Sequence, residues 1–257
     1  MHSFDPKNKA MIEWLAGIGA ASATELADVC GSTIAAASTR LRRLEGEGLV
    51  SESRLLHARP ALYLITRSGL RAAGRGELTA PRVSHAGFVH ALECARVARA
   101  LEGRHAGRFT VHSERELRSW ERAAGRPVAS MELGFSSTRR TGDVHRPDLA
   151  LRPVNRTAGG LPIAVEIELT VKAPVRLRSI IRGWARCRTV SGVVYYAAPA
   201  VLAALELAVS HERASGAVRV LALAGAGHEA IDESHPKGAL AWDRRCVHDG
   251  RSDRWQP

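Results

Sequence analysis

The chain has 257 residues, 45% of them hydrophobic and 25% charged, and a formal net charge of +11. At roughly 150 residues per domain this suggests two folded domains and excludes intrinsic disorder as the main state. The most apolar stretch, Val193 to Val209, is broken by Pro199 and Glu206, so no membrane span is expected. Met1 to Lys7 holds no apolar run after a basic start, so no secretory signal is expected and the reading is cytoplasmic.

Of the 37 basic residues 33 are Arg, and with many Ala and Gly this looks like codon bias toward GC-rich triplets. The excess is still real charge, and a basic chain favours nucleic acid or another polyanion. Between Ala10 and Pro236 the only lysine is Lys172. Where Arg is the default cation, a lone Lys marks a task suited to a compact charge with a tunable pKa. Cys30, Cys94, Cys187 and Cys246 form no Cys-x-x-Cys pair, and the histidines show no zinc spacing. Reduced thiols are expected, with no local zinc motif and no organic cofactor.

In chain order, Met11, Ile12, Leu15 and Ile18 repeat at helical spacing and predict a first helix over 6–18. Ser22 and Glu25 form a capping box before a second helix over 23–29. Ser32 is placed to cap a third helix, with Ile34, Ala37, Leu41 and Leu44 on one face and Ser38, Thr39, Arg40, Arg42 and Arg43 on the other. Extended runs from Leu49 and over 61–66 follow, then a short helix over 67–73. The segments from Ser38 to Val50 and from Tyr63 to Gly69 resemble the winged helix-turn-helix family. That resemblance implies a third helix in the major groove and a hairpin on the DNA backbone, with Arg54 and Arg59 as further DNA contacts. Outward Ser, Thr and Arg suit base edges and phosphates. Such modules also dock proteins, and residues 1–83 carry only eleven basic against eight acidic side chains.

Pro81 is read as the break between a 1–80 domain and an 84–230 domain. A helix over 84–101 opens the second, followed by a strand over 109–112, a charged segment over 113–120 and an unassigned stretch over 125–142. After Pro147-Asp148 comes a strand over 149–152, and then a run from Pro162 to Lys172. Along it Ile163, Val165, Ile167 and Leu169 share one face while Glu166, Glu168 and Thr170 share the other. Two like-facing glutamates on an apolar strand are costly to bury without cations, so a sheet edge or an open crevice is expected. Asp148 supplies a third carboxylate, and three oxygens on adjacent strands suit Mg2+ or Mn2+. A helix over 175–187, a strand over 192–196, a helix over 200–210 and a strand over 217–223 complete the domain. Arg178, Arg182 and Arg186 step by four and form a basic stripe suited to a phosphodiester track. Residues 231–257 read as a charged tail.

Pro147-Asp148 and Glu166-Ile167-Glu168, in this order of elements, resemble the PD-(D/E)xK nuclease superfamily. The resemblance implies a restriction-endonuclease-like α/β domain with a mixed central sheet, so the whole chain is of α/β (α+β) class. It also implies Asp148, Glu166 and Glu168 as metal ligands and catalytic residues. Position 168 is Glu where the family has Lys; Lys172, from the strand end, is the substitute. Ser84-His85, Ser113 to Leu117 with Trp120, Arg146-Pro147-Asp148 and Glu166 to Glu168 together resemble the replication-relaxation family, which implies DNA transactions of mobile elements. Two readings stay open: a metal-dependent DNA endonuclease, and a non-catalytic regulator of transcription or replication using the nuclease-like fold as a DNA-binding or dimerisation scaffold. The partner in either is double-stranded DNA, with a homodimer as an open assembly.

Overall fold

A computed structural model describes residues 5–133, 143–154 and 160–223, and the expected 231–257 tail lies outside them. The chain divides into two compact units, 1–103 and 104–257.

In the first unit, helix α1 (Pro6–Ile18) begins where the Asp5 side chain accepts the Lys7 N–H and ends at Gly19 with φ 99°. A two-residue strand β1 (Ala20–Ala21) leads into α2 (Ala23–Val29), whose Ser22–Glu25 capping box is complete. Helix α3 (Ile34–Gly46) is capped by Thr33, which accepts the Ala36 N–H, and not by Ser32. The Ser32 hydroxyl instead sits 2.9 Å from the Cys30 sulfur. Strands β2 (Val50–Ser53) and β3 (Leu62–Ile65) pair antiparallel, and β1 adds to β3. The short α4 (Arg67–Ala72) and the long α5 (Phe88–Arg104) follow. Met11, Ile12, Leu15, Leu26, Leu41, Leu44, Ile65 and Leu70 form the buried core.

The stripe read for the 84–101 helix is real, but its partner differs from the expected one. Phe88 and Leu92 of α5 pack with Leu62, and Ala95 joins the first core. The Trp14 indole N–H donates to the Glu102 carboxylate at 2.8 and 2.9 Å, and Arg99 donates to the Asp28 carbonyl at 3.3 Å. The break therefore falls after Gly103 and not at Pro81. Amphipathic spacing tells which side of a helix is buried but not what buries it.

The second unit is a mixed α/β structure. Strand β4 (Phe109–Ser113) runs straight into α6 (Glu114–Ala124), capped by a Ser113–Glu116 box and closed by Gly125 at φ 63°. Strands β5 (Met131–Leu133) and β6 (Asp143–His145) make an antiparallel ribbon. Then come β7 (Leu149–Pro153), β8 (Ile163–Glu168), α7 (Pro174–Arg186), β9 (Gly192–Ala197), α8 (Pro199–His211) and β10 (Val218–Ala222). The main sheet has the order β10-β9-β8-β7-β4. Pairs β8–β9 and β9–β10 are parallel, and β7 is antiparallel to both neighbours. Leu177, Ile181 and Trp184 of α7 and Val201 and Leu205 of α8 pack with Ala164, Val193 and Tyr195 of the sheet. Among the described residues no helix is long and apolar enough to cross a membrane.

Candidate functional site

Strand β8 is the middle strand of five, not an edge, and residues Ala164 to Glu168 are all buried. Its register with β7 pairs Leu149 with Val165, so one step further Asp148 lies opposite Glu166. Period-two alternation then sets Asp148, Glu166 and Glu168 on the face that α7 covers. Asp148 is pinned by its own chemistry: its Oδ2 accepts the Ile167 N–H at 2.8 Å, and its carbonyl accepts the Glu114 N–H at 2.9 Å.

Glu166 is 8% exposed and Glu168 5%, so neither is in the open crevice that the alternation suggested. Local partners make that burial tolerable. Glu166 Oε1 is hydrogen-bonded to His145 Nε2 at 2.6 Å and accepts the Trp184 indole N–H at 3.1 Å. Burial, reinforced by the Asp148 charge, pushes the Glu166 pKa up against the pull of His145 and Lys172. Burial works against a charged His145, but its bond to Glu166 and the charges of Glu166 and Asp148 hold its pKa above the ordinary value. Tyr195 stands opposite Glu166 on β9, with its buried hydroxyl beside the Trp184 indole. Burial and then the Glu166 charge keep that phenol protonated far into the basic range.

Lys172, four residues past Glu168, pairs its amine with the Glu168 carboxylate. Burial lowers its pKa, opposed by the charges of Glu166 and Asp148. All four residues named from sequence thus share one end of β8, yet each carboxylate is held by a different partner: Asp148 by a backbone N–H, Glu166 by His145 and Trp184, Glu168 by Lys172. The donors are hard carboxylate oxygens on neighbouring strands, which suits a divalent cation, and none of these bonds reaches Glu166 Oε2. Sequence reasoning assigned no role to His145, Trp184 or Tyr195. The available signal was Trp184 on the apolar stripe of its helix: a buried indole N–H needs an acceptor nearby.

The expected DNA contacts fare unevenly. Thr39, Arg42 and Arg43 are exposed on α3, and Ser38 is half-buried. Arg40 is committed to its own fold, paired with Asp5 and donating to Asn8 Oδ1 at 2.9 Å. Arg43 pairs with Glu47 at 2.9 Å, Arg54 pairs with Glu52, and Arg59 is exposed. In the basic stripe, Arg178 and Arg182 both bind Glu212, at 2.9 and 2.7 Å, so the stripe is partly neutralised from outside it. Arg186 is exposed.

No family model matches the chain, and no curated protein matches it. The solved structure of RV1404 from Mycobacterium tuberculosis is similar at 21% identity, covering 49% of this chain and 76% of that one, with a TM-score of 0.26. A likeness at that level carries no argument about fold or activity.

Proposed function

We propose that the chain binds duplex DNA through its first unit and carries in its second a nuclease-type site that hydrolyses phosphodiesters with a divalent cation. The observation that carries this reading is the setting of Lys172. The only lysine between Ala10 and Pro236 pairs with Glu168 and lies in the field of Glu166 and Asp148, on three carboxylates that two adjacent strands bring to one face. Asp148, Glu166 and Glu168 would hold Mg2+ or Mn2+, which supplies Lewis acidity and a more acidic bound water. Lys172 offers a compact positive charge for a phosphate oxygen, and burial makes that amine easier to deprotonate. The exposed Thr39, Arg42 and Arg43 of α3 support duplex binding. The resemblance to replication-relaxation proteins fits such a role in a cytoplasmic DNA transaction of a mobile element.

A second reading is favoured by one specific observation. Glu166 is buried, bonded twice and raised in pKa, which suits a structural acid in a non-catalytic regulator whose nuclease-like unit is a scaffold. Incubation with supercoiled plasmid and Mg2+ or Mn2+, with a chelator control, separates the two. The nuclease reading expects ion-dependent nicking that Asp148→Ala abolishes together with ion uptake, while Lys172→Ala removes cleavage and spares uptake. Duplex binding without any cleavage selects the regulator.

A further inference from the structure

We propose that His145 and Trp184 are positioning residues for Glu166, fixing one oxygen of its carboxylate so that the other is offered to a divalent cation. This rests on the metal-site reading above. Both hydrogen bonds end on the same atom, Oε1, from His145 Nε2 at 2.6 Å and from Trp184 Nε1 at 3.1 Å. The indole N–H is a donor only, so at this bond the oxygen must act as acceptor. The two side chains also brace each other: the His145 ring meets the Trp184 ring edge-on, with centroids 5.6 Å apart and planes at 70°.

Their supports are different elements that also pack on each other. Trp184 is 1% exposed in the core that α7 makes with the sheet. His145 ends β6, whose partner strand β5 pairs Met131 with His145. Met131 in turn packs closely on Gly183, the residue before Trp184. The β5–β6 ribbon and α7 therefore hold the two side chains against Glu166, while β8 holds the Glu166 backbone between β7 and β9. A carboxylate with one oxygen so constrained has little freedom left for the other. Carboxylates that bind metal are oriented by such outer hydrogen bonds, and losing one costs roughly 10–100-fold in metal affinity.

The test is a Mn2+ titration of the full chain, followed by electron paramagnetic resonance, with the metal-free melting temperature recorded for every variant. Trp184→Phe keeps an aromatic ring but removes the N–H together with the pyrrole half of the indole, so its melting temperature is read beside its affinity; it is expected to weaken Mn2+ binding about tenfold. His145→Ala is expected to do the same, and His145→Gln, which restores an amide N–H, to regain part of the loss. Unchanged Mn2+ affinity in Trp184→Phe and His145→Ala, with Asp148→Ala still abolishing binding, overturns the positioning role and leaves the metal site standing. A loss in His145→Ala that His145→Gln does not regain overturns it for His145. A parent protein that takes up no Mn2+ overturns the metal-site reading and this inference with it.

Discussion

Two glycines show how one added carbon is judged by what it would strike. In α4, a Cβ on Gly69 would collide with the Leu49 carbonyl oxygen and lie 2.5 Å from Ile65 Cδ1. That carbonyl is fixed, because it accepts the Thr66 N–H at 3.0 Å. In α7, a Cβ on Gly183 would lie 2.5 Å from Met131 Sδ, the end of a flexible side chain that can swing aside. Gly69→Ala is therefore expected to destabilise the first unit by about 3 kcal/mol. Gly183→Ala should be far milder, since the helix gain of about 1 kcal/mol offsets the repacking. Urea unfolding of both variants checks this; equal midpoints would contradict the close approach of α4 to the chain entering β2.

Glu212, at the end of α8, ties two helices together. Arg178 and Arg182 of α7 both donate to its carboxylate. The Arg182 bond, then the Arg178 bond, hold its pKa down to about 2 from an ordinary 4.5. A depressed acid stabilises the fold above its unfolded value and loses that contribution as pH falls through the folded one. The melting-temperature difference between the parent and Glu212→Gln should thus be steady above about pH 4.5 and shrink toward zero near pH 2. A difference that grew on acidification would contradict the clamp. Added salt should reduce the difference at neutral pH, since both arginines are about half-exposed. Reversing the charge of Arg178, Arg182 and Arg186 together would therefore break a helix–helix tie as well as the basic stripe.

At the scale of the whole chain, two cores define two units, and α5 belongs with the first. A fragment of residues 1–80 lacks Phe88 and Leu92, buried side chains worth roughly 2 kcal/mol each, and the Trp14–Glu102 bond. A fragment of residues 1–104 keeps them. Thermal unfolding is expected to be cooperative for 1–104 and shifted well down, or broad, for 1–80. Equal melting temperatures would show that α5 adds nothing to the first unit.

Sequence alone determined the elements whose signal is local. The helical spacing of Met11, Ile12 and Leu15, the Ser22–Glu25 box and the alternation from Ile163 to Leu169 each mark an element the chain forms, because caps and periodicity act within a few residues. Helix α6 is read from sequence only as a charged segment, because its charges hide a thin apolar stripe of Leu117 and Trp120, although the Ser113–Glu116 box marks its start. Alternation also put Glu166 and Glu168 on one face. What that face meets was decided only by tertiary structure: the central place of β8, the burial of both acids, His145 and Trp184 on Glu166, and Asp5 and Asn8 on Arg40. The partners come from segments up to 35 positions away, as Asp5 does for Arg40. A period fixes which way a side chain points; the charge or hydrogen bond waiting there depends on how distant segments pack, and no local pattern encodes it.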